Sequence, residues 1–336
     1  MKRRLIGLVV AILVVGCGGS PAAQSSSASG TASGSITIYS GLATDITNAL
    51  VADFEKRNPN IAVTVFQSPI GQLLQKMELE IVSTGRIQAD VIWTGDQVSM
   101  NQFKARKVIQ AYKPKGYDKV PASLRDPDGY WTSSVVLGVY LAYNTQSVSS
   151  AQVPRSWLDL TNPTWKGKIA LSDPAVSGTA AVLTEAMVQK YGWTYWTAVA
   201  KNQPKVLPST VSLVTSVLTG DRPVAPLVDF TAFPSIQKGD PMGVVVPTEG
   251  VPTTQIISAI TAKTANLPAA KVMVDYLEST DAAAIISAKG FYSARTDVAP
   301  PQGMKPLSEV KLFPFDWEKY ASDAADLADH FHSVMS

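Results

Sequence analysis

Cysteine occurs once in this 336-residue chain, at Cys17, and histidine twice, at His330 and His332. One cysteine excludes an internal disulfide framework, and with so few histidines it also excludes a cysteine/histidine zinc site. The two histidines stand two apart in an amphipathic stretch, so on a helix they point to different faces and chelate poorly. There is no G-x-S-x-G elbow for a serine hydrolase. Charged residues are scarce, at 17%, and nearly balanced in sign. No internal repeat of solenoid period is visible. What remains is a globular composition, 46% hydrophobic, in a chain long enough for two domains with full cores.

The first residues form a separate unit. Lys2, Arg3 and Arg4 precede an apolar run from Leu5 to Gly16 that is too short for a stable membrane anchor. Residues 1–16 therefore read as a secretory signal. Val14-Val15-Gly16-Cys17 resembles the bacterial lipobox, with valine where leucine is usual, so Cys17 is the expected lipidation site. A lipidated Cys17 would also be withdrawn from thiol chemistry. Residues 17–34 are mostly Gly, Ser, Ala and Thr, the composition of a flexible tether. Without the three basic residues of the signal, 26 basic stand against 27 acidic side chains, so nothing favours nucleic acid as a partner.

From Ile36 the pattern is strand, helix, strand, helix, strand. Ile36-Thr37-Ile38-Tyr39 is followed by Ser40-Gly41, and Leu42, Ile46, Leu50 and Phe54 stripe a helix. Ile61 to Phe66, a helix carrying Leu73 and Met77, and Asp90 to Trp93 complete the run, which ends at Thr94-Gly95-Asp96. Such a run predicts a parallel sheet with ligand-facing loops at the carboxyl ends of its strands. Val135 to Tyr143 is apolar without alternation, as in a strand buried on both faces. A second α/β run follows, with polar turns at Asp229 and at Glu249 after its strands. Thr253 to Thr261 reads as a strand returning to the first lobe, and Trp317 to Val334 as a final amphipathic helix. The tryptophans Trp157, Trp165, Trp193 and Trp196 are expected in packing roles rather than as a stacking platform.

Lys168 to Gly192 carries the most chemistry. Ile169 to Leu171 is a short strand, and Ser177-Gly178-Thr179 opens a helix that Gly192 stops. A helix start has unpaired N–H groups and the positive end of the dipole. With two hydroxyls and a glycine there, the turn suits phosphate, phosphonate or carboxylate. A serine N-cap that only ends a loop has the same sequence.

The order of ITIYSG, ADVIW, DPDGYW, VVLGVYLAYNT, PRSWLDLTNPTWKGKIALSDPAVSGTA and PTEG resembles family 1 extracellular solute-binding proteins of ABC importers. The resemblance is to the branch with ferric-iron, phosphonate and sugar-phosphate binders. It implies an α/β fold of the type II periplasmic-binding kind: two lobes with mixed sheets, joined by crossing strands. The implied division is lobe 1 at 35–134 and 262–310, hinge strands at 135–144 and 253–261, lobe 2 at 145–252, and a C-terminal helix at 311–336. Ser40, Gly41, Thr94, Ser177, Gly178, Thr179, Asp229 and Glu249 then fall in the cleft loops as ligand contacts. No catalytic residue, cofactor or metal ligand is implied. The implied partners are a small anionic solute, an ABC permease and its ATPase, and the membrane through a lipid anchor, with the protein acting as a monomer on the outer face. Ferric-iron members of that branch use adjacent tyrosines where this chain has Val228-Asp229-Phe230, which favours a phosphonate or phosphate ester over iron or an iron chelate. A ligand-sensing module and a cleft hydrolase using Asp229 and Glu249 as acid and base are the other readings.

Overall fold

The computed structural model describes residues 32–336; the expected signal, Cys17 and most of the tether lie outside the described residues. The first lobe opens with β1 (Gly34–Ser40), α1 (Thr44–Arg57), β2 (Ile61–Gln67), α2 (Ile70–Thr84) and β3 (Val91–Trp93). β1 pairs in parallel with both β2 and β3, so α1 and α2 are the crossover helices of the expected parallel unit. Ile46, Leu50 and Phe54 are the buried face of α1, and Pro59 just past its end prevents continuation. Glycine in the left-handed region ends α2 at Gly85. One buried residue of α2 escaped the apolar pattern. Glu80 is buried, and its carboxylate accepts from Tyr39 Oη and Lys76 Nζ at 2.6 Å each and from Gln88 N at 2.9 Å.

After α3 (Gln97–Ala105) and β4 (Ile109–Gln110) comes β5 (Thr132–Asn144), all but one of whose thirteen residues are buried. The second lobe follows as β6 (Ala170–Ser172), α4 (Gly178–Tyr191), α5 (Trp193–Ala200), β7 (Lys205–Leu207), α6 (Thr210–Thr219), β8 (Val224–Val228), α7 (Asp229–Gln237) and β9 (Met242–Val245). The chain then returns through β10 (Thr253–Thr261), α8 (Leu267–Leu277), α9 (Thr280–Ala288) and β11 (Tyr292–Ser293), and finishes with α10 (Trp317–Met335).

β5 belongs to both lobes. Its first half, through Gly138, pairs antiparallel with β10 and β11, and from Val139 onward it pairs with β8 and β9. By contrast, β10 pairs only with β3, β4 and the first half of β5, so it lies within the first lobe's sheet. The return passage is made just before it: Val139 N donates to Pro252 O at 2.9 Å, and Val251 pairs in parallel with Leu312. Three segments therefore meet at the junction, around Gly138, Val251 and Leu312.

In the second lobe β6 and β7 are parallel, and Ile169 bridges in parallel to Val224 at the start of β8. The three strands thus run the same way, and each is followed by a helix: α4, α6 and α7 all start at one edge of the sheet. The core below them holds Trp157, Trp165, Trp196, Leu183 and Met187, together with Phe331 from α10. Trp193 differs from Trp157, Trp165 and Trp196. It is only partly buried and stacks on His330, ring centroids 3.7 Å apart. His332 faces elsewhere and meets Asp173 Oδ1 at 2.9 Å.

Candidate functional site

At the start of α4, Ser177 is the N-cap, and its Oγ accepts from Ala180 N at 3.3 Å. The same Oγ lies 3.1 Å from Thr179 Oγ1, so the two hydroxyls form one polar edge. Nothing lies within 4 Å of where a Gly178 side chain would begin, so the space before this turn is open. α6 starts the same way, with Ser209 as N-cap accepting from Ser212 N at 3.2 Å. α7 starts at Val228 with no side-chain cap.

These starts rim a small cavity of about 20 Å³ whose floor is apolar, formed by Leu183, Trp196, Leu213 and Phe331. Ser177 and Thr179 line it from α4, Thr210 from α6, Val228 from α7, Ser172 from the end of β6, and Val139 from β5. None of its lining side chains is ionisable. Ser172 Oγ is buried without a hydrogen-bond partner among the described residues. Exposed apolar side chains, Val176 at 65% and Val211 at 76%, stand immediately beside Ser177 and Thr210. Three helix starts bring first-turn N–H groups that lack intrahelical partners, some of them bonded to Ser177, Ser209 and Asp229, and positive dipole ends to one place. An oxyanion is the charge such a place stabilises, by hydrogen bonds rather than by a counter-ion. Sequence reasoning found Ser177 to Thr179 but missed Ser172 and Thr210. The signal was there in Pro208-Ser209-Thr210, which repeats the strand, hydroxyl, helix order of the first turn.

In the first lobe, Ser40, Gly41 and Thr94 come together at the carboxyl ends of β1 and β3. Ser40 is buried, with its Oγ 3.1 Å from Thr47 Oγ1. Thr94 is buried too, and its Oγ1 has no partner among the described residues. Glycine is required at 41, where a β-carbon would lie 2.2 Å from Thr94 Oγ1. Nearby, Gln255 Oε1 accepts from Ser133 Oγ at 2.9 Å and from Gln97 Nε2 at 3.1 Å. These amide and hydroxyl groups carry no charge and no sequence motif, which is why the sequence did not single them out. α4 packs against β5 and β10, so the second lobe's helix start is in contact with the first lobe's sheet.

The two carboxylates expected in the cleft, Asp229 and Glu249, are both turned onto protein groups. Asp229 is fully buried: its Oδ2 accepts from Gly138 N at 2.8 Å and its Oδ1 from Phe230 N at 2.7 Å. Burial pushes its carboxyl up to about 7, although both backbone donors pull the other way. Glu249 accepts from Ser156 Oγ at 2.5 Å, Tyr191 Oη at 2.6 Å, Thr248 Oγ1 at 3.0 Å and Trp157 N at 3.2 Å. Partial burial alone would raise it, but the hydrogen bonds from Ser156 and Tyr191 win and bring it down to about 2. Each carboxylate holds protein groups: Asp229 the amides of Gly138 and Phe230, Glu249 the donors of Ser156, Trp157, Tyr191 and Thr248.

Residues 87–323 match the family described as bacterial extracellular solute-binding protein. The chain belongs to that family. Proteins of that description bind a solute outside the cytoplasm. The chain is 28% identical over 123 residues to a Sinorhizobium fredii protein named "Probable ABC transporter periplasmic-binding protein y4fP", a match covering 35% of this chain and 32% of that one. Solved structures share its fold: a ferric binding protein from Campylobacter jejuni (19% identity, TM-score 0.75, 89% of this chain and 99% of that one). So does the periplasmic binding protein AfuA from Actinobacillus pleuropneumoniae, solved with exogenous fructose-6-phosphate bound (22% identity, TM-score 0.72, 89% and 98%).

Proposed function

We propose that this solute-binding protein captures a small organic anion, a phosphate ester or phosphonate, between its lobes and delivers it to an ABC permease and its ATPase. One observation carries the reading: three helix starts with Ser177, Thr179 and Thr210 line one cavity that has no ionisable side chain. The cavity itself, about 20 Å³, has room for little more than a water, so a phosphoryl group would sit at its mouth against the helix starts, being compact, anionic and rich in acceptors. Ser40, Thr94, Gln97 and Gln255 on the first lobe are uncharged hydrogen-bonding groups suited to a polar, non-ionic body on the same ligand.

Bare ferric ion fits less well. A ferric site wants hard anionic oxygens, and the end of β8 supplies Asp229, turned inward onto Gly138, and the apolar Phe230. Among the described residues no group of three His, Cys, Asp or Glu side chains is placed to hold a metal ion. The lobes, 35–134 with 253–310 and 145–250, close about β5 and the Val251–Pro252 passage. Cys17 carries the lipid that keeps the protein on the outer face of the membrane; an unmodified Cys17 thiol in the mass of the native protein would end that part of the proposal.

The test is a thermal-shift panel of phosphate esters, phosphonates, inorganic phosphate and ferric citrate. A cognate ligand at 100 times its Kd adds about 2.7 kcal/mol of stability. Stabilisation by a phosphate ester or phosphonate is expected; stabilisation by ferric citrate alone would replace this reading with an iron one. With the stabilising ligand bound, small-angle scattering should show a smaller radius than without it.

A further inference from the structure

Glu185 lies in the middle of α4 with no solvent exposure, a rare place for a carboxylate. Its Oε1 accepts from Gln189 Nε2 at 3.0 Å, while its Oε2 is buried with no partner among the described residues. Gln189 has no further donor for it, because that amide also donates to Asp316 O at 2.8 Å and accepts from Asp316 N at 2.9 Å. Lys319 on α10 is held by Asp323 at 2.6 Å. Burial raises the Glu185 carboxyl above its usual range, and Asp323 and Asp316 add to that against the pull of Gln189 and Lys319.

Glu185 contributes to a cavity of about 170 Å³ between α4 and α10. Asp323 and the exposed Asp326, one turn apart on α10, add two more carboxylates to its wall, and Ser322 a hydroxyl. Leu327 and the Trp193 indole make the apolar part, with the indole fixed by its stack on His330. The acidic groups are not gathered as metal ligands are. They line a mainly polar cavity with a short apolar part, and one acceptor is buried and unanswered.

We propose that this cavity binds an aliphatic diamine or polyamine. One ammonium donates to Glu185 Oε2, the methylenes lie along Leu327 and Trp193, and a second ammonium meets Asp323 and Asp326. The site is distinct from the anion cavity, about 12 Å away along the same helix, and it would tie α10 to the helix that packs against β5 and β10.

The test is calorimetry of putrescine with the full chain at pH 8 and constant ionic strength, using Glu185→Gln and Asp326→Asn. Saturable one-site binding is expected, about tenfold or more weaker in Glu185→Gln and several-fold weaker in Asp326→Asn, with no competition from magnesium. Asp326 is exposed, so its variant keeps the test valid even if Glu185→Gln perturbs folding. No saturable binding to the wild type, equal affinity in both variants, or binding of magnesium but not putrescine would each overturn the proposal.

Discussion

Where β5 leaves one sheet and joins the other, the Asp229 carboxylate accepts the amide hydrogen of Gly138 at 2.8 Å. Gly138 is the last residue of β5 that pairs with β10, and Val139 the first that pairs with β8. The bond thus joins a second-lobe helix start to the strand at the crossing. Phe230 adds to the join by stacking on Phe291 of the first lobe, 4.8 Å between centroids.

Asp229 should therefore impose a pH dependence on stability. Its folded carboxyl, near 7, lies above the ordinary aspartate value of about 3.9. A raised acid contributes stability that is fully present below the unfolded value and lost as pH rises through the folded one, here between about 4 and 7. The loss is on the order of 3–4 kcal/mol. Asp229→Asn keeps one acceptor for Gly138 but cannot ionise. Chemical denaturation of both proteins at pH 5 and pH 8 should show the variant gaining on the wild type by at least about 2 kcal/mol at the higher pH. A gap independent of pH would mean that Asp229 stays charged throughout.

Glu249 has the opposite sign. Its carboxyl is brought down to about 2, so the stability it provides is present above the ordinary glutamate value of about 4.3 and fades as pH falls toward 2. Glu249→Gln should cost about 1–2 kcal/mol at pH 7, after allowing for its partial exposure, because the donors of Ser156, Tyr191 and Trp157 lose a charged acceptor. Repeating the measurement near pH 3 should show the difference shrinking. Ligand affinity should be unaffected, and a large loss of affinity in a stable variant would return Glu249 to the cleft.

Ser177→Ala with Thr179→Ala addresses the anion cavity. Hydrogen bonds to a charged group are worth about 1.5–3 kcal/mol each, so affinity for the cognate ligand should fall at least about a hundredfold, even with some replacement by water. Unliganded stability should drop by about 1 kcal/mol, the usual value of an N-cap. Calorimetry separates the two effects. Unchanged affinity in a folded variant would reduce this turn to a helix cap.

Gly41→Ala should destabilise by about 1–3 kcal/mol, since the new methyl overlaps Thr94 Oγ1. Adding Thr94→Ala should recover part of it, and a double-mutant cycle measures the coupling. Additive costs would show that the two residues do not touch.

The parallel βαβ run, the buried crossing strand and the helix start at Ser177 could be read from periodicity and turn chemistry alone. The carboxylates are less legible. Asp229 and Glu249 follow strand ends, where ligand contacts are expected, but a sequence does not show whether a carboxylate turns outward or back onto its neighbours. Glu80 falls on the Leu73–Met77 face of α2, but its charge, like that of Glu185 in α4, argues for solvent, and only the packed neighbours, Tyr39 and Gln88 for one and Gln189 and α10 for the other, reveal them as interior. Gln97, Gln255 and Ser133 meet only in three dimensions, across more than a hundred residues of chain.

The sharing of β5 between two sheets bears on how such proteins can be recombined. Neither lobe owns a complete sheet without that strand, so a cut near Gly138 would strip an interior strand from both halves at once. Exchange of a whole second lobe between relatives should succeed only with breakpoints past Asn144 and before Val251, leaving β5 and the return passage intact as the common chassis.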